Sequence, residues 1–441
     1  MTRTLFGTDG VRGVAGEFLT AELALALGRA ATRNTGVERP QVLIVRDTRE
    51  SGEMLQAAIA AGVSAAGGDA LLGGILPTPA APLLINRYGF DLAVVLSASH
   101  NPYRDNGIKF FAGDGYKLSD ESELQIEREL QAEPPMGAEA PAIGRIRELR
   151  GAPEDYLREL HVRFRELDLS GVDVLLDCAN GATYQVAPEI FRRLGADVTV
   201  IADAPDGRNI NAGCGSTHLD ALAREVLAGG HALGFAFDGD GDRVLAVDRA
   251  GAVVDGDELM ALATLHLRAG GRLAGDGVVV TVMTNYGFHA AMERAGIAVV
   301  AAQVGDRYVL EELRARGWAL GGEQSGHIID MGFNRTGDGI ASALLTLEAL
   351  AGRDLSERDA MSKLPQRLVN VRVRDRGALA HAQELAAAVD AAERELAGRG
   401  RVLVRPSGTE PLVRVMVEAP TEDEAEQVCG RLVALVEQQL G

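Results

Sequence analysis

Three carboxylates alternate with glycine in the segment DGDGDR, where Asp238, Asp240 and Asp242 lie two residues apart. Glycine frees the backbone between them, so the three side chains can turn toward one hard cation. A solvated hairpin turn is the alternative, but three like charges this close repel one another unless a cation or an arginine screens them. An EF-hand does not fit, because its loop needs Gly and Glu where this chain has Arg243 and Arg249. We therefore predict a metal site, with Mg²⁺ as its ion.

The segment RPSGTEPLVR predicts an anion site. It combines two arginines with two hydroxyls and a glycine: Arg405, Ser407, Gly408, Thr409 and Arg414. Guanidiniums, hydroxyls and free backbone N–H groups in a tight turn between two strands suit a dianionic phosphate. A plain hairpin turn is the alternative, and it leaves the two flanking arginines unexplained.

A serine follows the apolar run 92–96 in the segment LSASHNP. A surface turn could contain these residues. A serine hydrolase would prefer GxSxG, which this chain lacks, and His100 directly after Ser99 seldom has the geometry of a general base. Beside a metal site and a phosphate site, Ser99 suggests phosphoryl transfer in which the serine itself carries the phosphate and shares the metal with the aspartates. His100, Lys109 and Arg243 would then neutralise charge.

The segment GGEQSGH follows another predicted strand and supplies Glu323, Ser325 and His327. A carboxylate and a hydroxyl can each bond sugar hydroxyls, and the glycines permit close approach. By itself this segment is weak evidence for a sugar site, so its position at the end of a repeated unit of the chain matters.

The serine, aspartate and glutamate segments each end one of three similar passes of the chain. Every pass reads strand, helix, strand, helix, strand, with strands predicted within 41–47, 70–79 and 90–102, within 172–181, 196–207 and 231–243, and within 277–287, 297–308 and 317–327. This alternation predicts parallel sheets, whose ligands bind at the carboxyl ends of the strands. Three unrelated turns would not be expected to fall at the same place in three repeats.

A different unit follows the third pass. It reads strand 368–375, helix 377–397, strands 401–405 and 412–418, and helix 421–439, which predicts an α+β domain. The Pro- and Ala-rich segment 131–144 indicates the end of the first domain. We predict α/β domains at 1–150, 151–252 and 253–366, with mixed sheets, and the smaller α+β domain at 367–441.

Composition excludes several classes of protein. The net charge of −19 opposes nonspecific binding to nucleic acid or anionic membrane, and 4% aromatic residues argue against single-strand stacking platforms. The N-terminus has no apolar signal core, and no apolar run reaches the roughly 18 residues of a membrane helix. Three scattered cysteines fit neither a disulfide framework nor a zinc site, which favours the cytoplasm, and Cys178 is most simply a core residue.

Taken together, SASHNP, DGDGDR, GEQSGH and RPSGTEP resemble the motifs of the α-D-phosphohexomutase superfamily, in its order and over the whole chain. FGTDGVRG at 6–13, CGSTH at 214–218 and VGDRYV at 304–309 are most similar to its bacterial members that act on glucosamine phosphates. No motif position departs from the pattern.

The resemblance implies a cleft formed by four domains and the interconversion of glucosamine 6-phosphate and glucosamine 1-phosphate, on the route to UDP-N-acetylglucosamine. It implies a phosphoserine at Ser99, Mg²⁺ on the three aspartates, and a hexose or hexosamine 1,6-bisphosphate as activator. Glu323 and Ser325 would bind sugar hydroxyls, and the 405–414 loop would hold the non-reacting phosphate. Lys109 is similar to the family's candidate general acid/base, and Arg12 and His327 to further cleft residues.

Several alternatives stay open from the sequence. A phosphomannomutase or phosphoglucomutase would use the same Glu323 and Ser325, because discrimination at sugar carbon 2 cannot be derived from these residues. A metal-dependent phosphatase would pass the phosphate of Ser99 to water. A non-catalytic phosphosugar sensor would need the phosphate loop alone. For the oligomeric state, a homodimer is kept open.

Overall fold

The computed structural model describes residues 4–7, 9–131, 142–406 and 411–441. Most of the predicted domain end at 131–144, together with Ser407, Gly408 and Thr409, lies outside the described residues. Contacts divide the chain into two compact units. The first comprises Met1–Val282 with Val300–Arg358, and the second comprises Met283–Val299 with Asp359–Gly441.

The first sheet has the strand order β1-β5-β4-β2-β3-β6. Its part of the chain contains β1 (Val11–Val14), α1 (Ala21–Asn34), β2 (Gln41–Arg46), α2 (Ser51–Ala65), β3 (Asp69–Ile75), α3 (Ala80–Tyr88), β4 (Leu92–Leu96), β5 (Asp105–Ala112), α4 (Asp120–Gln131), β6 (Ile146–Glu148) and α5 (Ala152–Arg163). Every residue of β4 is buried, because β4 is a central strand that pairs with β2 on one side and β5 on the other.

The second sheet has the order β11-β10-β9-β7-β8. Its elements are β7 (Asp173–Asp177), α6 (Val186–Arg193), β8 (Asp197–Ile201), α7 (Asp220–Gly229), β9 (Leu233–Phe237), β10 (Val244–Asp248) and β11 (Val253–Val254). Strand β7 runs parallel to both β8 and β9, as the alternating pattern predicts.

The third sheet has the order β13-β12-β14-β15. This stretch of chain contains α8 (Gly256–Ala269), a 3₁₀ turn (Ala274–Asp276), β12 (Gly277–Thr281), α9 (Tyr286–Arg294), β13 (Ala298–Ala302), α10 (Asp306–Arg316), β14 (Leu320–Gly322), β15 (Ile328–Asp330), α11 (Gly339–Leu350) and a second 3₁₀ turn (Leu355–Glu357). Helix α8 starts at a capping box in which Asp255 and Glu258 each bond the other's backbone N–H.

One arrangement recurs in these three sheets. The third strand of each predicted pass ends in a polar loop, and the chain then returns as an antiparallel strand: β5 pairs with β4, β10 with β9, and β15 with β14. We call the three loops the serine loop (97–104), the metal loop (238–243) and the sugar loop (323–327). The sequence predicts the strands that lead into the loops but not the return strands.

The C-terminal part of the second unit is an antiparallel sheet in the order β16-β18-β17. Its elements are β16 (Gln366–Arg372), a 3₁₀ helix (Arg376–His381), α12 (Gln383–Leu396), β17 (Arg401–Pro406), β18 (Leu412–Glu418) and α13 (Glu422–Leu440). Alternate residues Val413, Val415 and Val417 of β18 pack in one apolar cluster with residues of α13. A continuous helix over 377–397 is wrong, because the non-helical backbone of Ala382 separates the 3₁₀ helix from α12.

Other predictions from the sequence can be compared directly with the structure. The mixed α/β sheets and the smaller α+β domain are confirmed. Cys178, Cys214 and Cys429 are free and buried, so the core position predicted for Cys178 is also confirmed. Among the described residues, no helix combines the length and the hydropathy needed to cross a bilayer.

Candidate active site

Ser99 lies in the serine loop and is almost fully buried. Its backbone adopts the left-handed region at φ 52°, which residues other than glycine adopt rarely. The metal loop approaches it closely: a Cβ on Gly239 would lie 2.6 Å from the carbonyl oxygen of Ser99. Glycine at 239 therefore permits the contact between the two loops.

The serine hydroxyl contacts the aspartates of the metal loop. Ser99 Oγ donates a hydrogen bond to Oδ2 of Asp238 at 2.5 Å. One carboxylate oxygen each from Asp238, Asp240 and Asp242 lies within 4.8 Å of the others, and all three side chains are buried. In the described part of the chain, Oδ1 of Asp240 and Oδ1 of Asp242 have no hydrogen-bond partner. Buried, closely spaced carboxylate oxygens with unused lone pairs fit a divalent cation that prefers oxygen ligands.

The pKa values of Asp238 and Asp242 are shifted in opposite directions. Burial, followed by the charges of Asp242 and Asp240, raises the pKa of Asp238 well above its usual range. Burial also pushes the pKa of Asp242 upward, but His327 and Lys109 outweigh it and hold that pKa below the usual range. A cation bound among the three carboxylates would favour the ionised form of each of them.

Lys109, on β5, is a buried cation with three carboxylates within ion-pair distance, and Asp242 is the most distant of them at 3.8 Å. Its Nζ lies 2.8 Å from Oδ2 of Asp240 and 3.0 Å from Oδ2 of Asp9. Burial opposes the charge, but Asp240 and Asp9 outweigh it and raise the pKa of Lys109. In this ion-paired arrangement Lys109 is a fixed positive charge. The acid/base role implied for it by the family resemblance therefore requires that substrate or metal binding first weakens these ion pairs.

Arg12 and His327 flank the same group of charges. The guanidinium of Arg12, on β1, pairs with Asp9. His327 Nε2 accepts the backbone N–H of Gly337 at 3.1 Å, which leaves Nδ1 as the nitrogen that bears a proton. That nitrogen lies 3.6 Å from Oδ2 of Asp242. Both predicted cleft residues thus lie beside the aspartates.

Three further residues of the charge network were not predicted as site residues. Lys117 bridges Asp9 and Asp306 by direct ion pairs, and Nε2 of His327 lies 3.9 Å from Asp306. Asp9 and Asp306 fall within FGTDGVRG and VGDRYV, so those motifs contained a signal. Lys117 stands in no motif that distinguishes it from an ordinary surface lysine.

His100 and Arg243 also lie at the serine. His100 Nδ1 is 3.4 Å from Ser99 Oγ. Burial, then the nearby Arg243 and Arg12, lower the pKa of His100, so the imidazole is mainly neutral at pH 7. The backbone N–H of Arg243 donates to Asp238 Oδ1 at 3.2 Å, and its Nε lies 3.8 Å from Asp242 Oδ1. The charge-neutralising role predicted for His100 thus depends on a phosphate that raises its pKa.

The sugar loop presents Glu323 and Ser325 differently. Glu323 is buried, and its Oε1 accepts the backbone N–H of Gly305 at 3.0 Å. Ser325 is exposed. The backbone N–H of Glu323 donates to the carbonyl of His327 at 3.0 Å, which closes the loop. A fixed carboxylate and an accessible hydroxyl can both bond a polyol.

In the second unit, Arg405 and Arg414 occupy opposite positions of the antiparallel pair β17–β18. We call them the arginine pair. Arg405 Nη2 lies 3.6 Å from Sδ of Met283, and neither guanidinium has a carboxylate partner among the described residues. Burial and the charge of Arg414 lower the pKa of Arg405, and Nε of Arg414 is buried without a partner in the same described ranges. Two neighbouring cations in this state favour an anion.

Four domain profiles of one family match the chain. Residues 3–135 match the phosphoglucomutase/phosphomannomutase alpha/beta/alpha domain I, residues 154–251 domain II, residues 255–368 domain III, and residues 368–435 the C-terminal domain. The matches follow one another in chain order and cover most of its length.

Two curated relatives that match nearly the whole chain carry the same name. The chain is 52% identical to the phosphoglucosamine mutase of Moorella thermoacetica, over 97% of this chain and 98% of that protein. It is 48% identical to the phosphoglucosamine mutase of Mycolicibacterium smegmatis, over 98% of each chain.

Solved structures share the fold at low identity. A phosphoglucomutase/phosphomannomutase family protein from Burkholderia thailandensis superposes with a TM-score of 0.81 at 21% identity, covering 98% of this chain and 97% of that one. The N-acetylphosphoglucosamine mutase of Aspergillus fumigatus, solved in complex with GlcNAc-6P and magnesium, gives 0.68 at 20% identity, covering 99% and 96%.

Proposed function

The chain belongs to the phosphoglucomutase/phosphomannomutase family, and we propose that it interconverts glucosamine 6-phosphate and glucosamine 1-phosphate. The relatives that are about half identical over their full length carry the name phosphoglucosamine mutase. The main structural support for a phosphoryl-transfer reaction is the 2.5 Å hydrogen bond between Ser99 Oγ and Asp238, which is one of three buried, closely spaced carboxylates. A hydroxyl in that position suits reversible phosphorylation.

We propose that Ser99 carries the transferred phosphate. The free hydroxyl of the bound sugar phosphate attacks the phosphorus of phospho-Ser99, so the sugar O–P bond forms as the bond from phosphorus to Ser99 Oγ breaks. The proton lost by the sugar hydroxyl is returned to Ser99 Oγ, and Asp238 accepts the hydrogen bond of the restored hydroxyl. The product is a 1,6-bisphosphorylated sugar. After it turns end for end, its other phosphate passes to Ser99 by the reverse step.

Asp238, Asp240 and Asp242 would hold Mg²⁺, shared with the phosphate on Ser99. The unused buried oxygens of Asp240 and Asp242 support this assignment. When bound, the ion supplies positive charge to the oxygens of the transferring phosphoryl group. Around it, Lys109 and Arg243 stay charged, and His100 gains a proton once the phosphate dianion is next to it.

The remaining predicted residues are assigned to the sugar and its second phosphate. We propose that Glu323 and Ser325 bond the sugar hydroxyls, with Arg12 and His327 nearby. We propose the arginine pair for the non-reacting phosphate, together with Ser407, Gly408 and Thr409. The missing carboxylate partners of Arg405 and Arg414 among the described residues support that assignment.

The proposed reaction also indicates which compound activates the protein and which synthesis its product supplies. A hexose or hexosamine 1,6-bisphosphate would load Ser99, because it is the intermediate of the reaction itself. The glucosamine 1-phosphate formed would feed UDP-N-acetylglucosamine synthesis in the cytoplasm. The four domain boundaries and a homodimer stay predictions.

The substrate assignment is tested by isomerisation assays. Purified protein with Mg²⁺ and glucose 1,6-bisphosphate is given the 6-phosphates of glucosamine, glucose and mannose in parallel, and released inorganic phosphate is measured. We expect the highest kcat/KM for glucosamine 6-phosphate and almost no free phosphate. A preference for glucose or mannose 6-phosphate would instead identify a phosphoglucomutase or phosphomannomutase, and phosphate release above isomerisation would identify a phosphatase.

A further inference from the structure

A fully buried arginine outside the predicted site holds the main chain at Ser99. Arg49 follows β2 in the segment RDTR, and its side chain is inaccessible to solvent. Its Nη2 donates to the carbonyl oxygen of Ser99 at 3.2 Å and to that of Asn101 at 2.6 Å. Asn211, from the second predicted domain, donates to the same two carbonyls at 2.9 and 3.0 Å. Two planar donor groups thus fix the two carbonyls that flank the residue after the serine.

The backbone N–H of Ser99 is held through Ser97 and Asp47, which both contact Arg49. The backbone N–H of Ser99 donates to Ser97 Oγ at 3.0 Å, and Ser97 Oγ donates to Asp47 Oδ2 at 2.6 Å. Asp47 pairs with Arg49 through that oxygen, and its Oδ1 accepts the Arg49 backbone N–H at 2.9 Å. The cluster Asp47–Arg49–Ser97 therefore holds both the N–H and the C=O of Ser99.

These bonds stabilise a strained backbone. Ser99 has φ 52°, and the left-handed region is unfavourable for a residue other than glycine because Cβ lies too close to the backbone carbonyl oxygen. Without the cluster, the serine loop would relax toward more populated conformations. Its hydroxyl would then move away from the metal loop.

Phosphorylation makes main-chain contacts especially important. Within the described ranges, the one hydrogen bond between Ser99 and the aspartates of the metal loop uses the hydroxyl proton, which a phosphoserine does not have. In the phosphorylated half of the cycle, that bond cannot define where Oγ lies. Contacts through the N–H and C=O of Ser99 do not use the hydroxyl, so phosphorylation leaves their donors and acceptors in place.

We infer that Asp47, Arg49 and Ser97 are positioning residues for phosphoryl transfer, which hold the backbone of Ser99 in one place whether or not the serine is phosphorylated. This inference rests on the proposed role of Ser99 as the phosphate carrier. Arg49 makes no contact with the aspartates of the metal loop in the described structure. It acts through the geometry of the serine.

The test is Arg49→Lys, which keeps the charge but loses the forked donor. We expect kcat to fall on the order of 100-fold, since displacements of about 1 Å have such effects, while KM for glucosamine 6-phosphate changes less than about threefold because the sugar contacts are intact. In a single turnover with glucose 1,6-bisphosphate, the rate of phosphate incorporation on Ser99 should fall by the same factor.

The matched control is Arg163→Lys. Arg163 is another poorly accessible, ion-paired arginine, at 3.4 Å from Asp330 on β15 and 3.5 Å from Glu348 on α11, and neither partner belongs to the serine loop. It should lose some thermal stability and keep wild-type kcat. If Arg49→Lys matches this control in kcat, or raises KM alone, the inference is wrong.

A milder variant covers the case in which Arg49→Lys does not fold. Ser97→Ala removes only the hydroxyl between Ser99 and Asp47, and we expect kcat to fall about tenfold, in line with the effect of supporting residues in other sites, without a change in KM. Wild-type kcat in this variant would overturn the inference. A wild-type protein that never takes phosphate on Ser99 would instead contradict the proposed function, so the two failures are distinguishable.

Discussion

The serine–metal region and the arginine pair have opposite electrostatic designs. Around Ser99 and the metal loop, most buried charges have partners in place: Lys109 pairs with Asp9, Asp240 and Asp242, and the hydroxyl of Thr78 donates to Oδ2 of Asp240. In the second unit, Arg405 and Arg414 face each other with no carboxylate among the described residues. The first region is organised before any ligand arrives. The second carries charge that only an anion would compensate.

The difference matches the chemistry proposed for each region. Bonds break and form only at the serine, so its geometry has to be the same in every turnover. The non-reacting phosphate belongs to either end of the sugar, so its site needs strong charge more than one fixed geometry. Substitutions in the first region should therefore affect kcat, and substitutions in the second should affect KM.

The largest effect is expected for Asp240→Asn. Asp240 combines an unpartnered buried oxygen with the ion pair to Lys109, so the amide removes a metal ligand and a charge partner together. We expect kcat to fall on the order of 1,000-fold and calorimetry to show no Mg²⁺ binding to the protein alone. Asp177→Asn is the control, because Asp177 is a buried aspartate outside the metal loop whose two oxygens accept the backbone N–H groups of Ala179 and Gly215. Equal Mg²⁺ affinity in both variants would contradict the metal assignment.

Arg414→Gln should separate binding from stability. Removal of one member of the arginine pair should raise KM roughly 30-fold, about 2 kcal/mol, with a smaller change in kcat. Because it also relieves repulsion with Arg405, the melting temperature should stay constant or rise.

The comparison variant is Arg401→Gln on the same strand pair. Arg401 lies 3.2 Å from the buried carboxylate of Glu418, so its loss should destabilise the fold by about 3 kcal/mol. KM for the sugar phosphate should not change. A melting temperature that falls as far for Arg414→Gln as for Arg401→Gln would show that the arginine pair is structural.

The smallest effect concerns a buried aspartate in the first unit that takes no part in the chemistry. Asp338 caps α11 and accepts the hydroxyl of Tyr156, and burial raises its pKa to about 6. Its folded pKa lies above the unfolded value, so wild-type stability falls as pH rises from about 4 to 6 and then levels off. Asp338→Asn lacks this titration, so its stability relative to wild type should improve by about 2 kcal/mol between pH 4 and 7.

Asp354→Asn should show the opposite slope. Burial opposes the charge of Asp354, but bonds from Ser356 and the charge of Arg249 outweigh it and lower the pKa. The wild-type stabilisation is therefore present at neutral pH and is lost as pH falls through the lowered pKa. Thermal melts measure the two slopes, from about pH 4 to 7 for Asp338→Asn and from about pH 2 to 5 for Asp354→Asn, because a lowered carboxyl pKa titrates below its ordinary range. Parallel slopes would contradict the assigned protonation states.

The sequence predicted the loops that carry the chemistry better than the contacts that hold them. Ser99, the three aspartates and Glu323 could be found because each follows a recognisable strand, and the ends of parallel strands collect ligands. Hydrophobic periodicity does not reveal which strand pairs with which, so the antiparallel return strands β5, β10 and β15 were missed. Arg49 lies fifty residues before Ser99, and no local pattern connects them.

No sequence pattern indicated the ion pairs between residues that are far apart in the chain. Lys117 pairs with both Asp9 and Asp306, which are far apart in the sequence. Only the folded chain brings these groups together. Nothing in the sequence indicates that the predicted helix 377–397 is interrupted at Ala382, because alanine favours helix. Local propensity and motifs thus identified the reacting groups, whereas the supporting network required tertiary structure.

The most direct test of the account is the mass of the intact protein, with peptide mapping of Ser99, before and after incubation with glucose 1,6-bisphosphate and Mg²⁺. The account predicts one phosphate, located on Ser99, that is lost when excess glucosamine 6-phosphate is added and is never found in Ser99→Ala. If wild-type protein takes up no phosphate under these conditions, or takes it up at another residue, the covalent mechanism is wrong and a phosphosugar-binding role without catalysis becomes the better explanation.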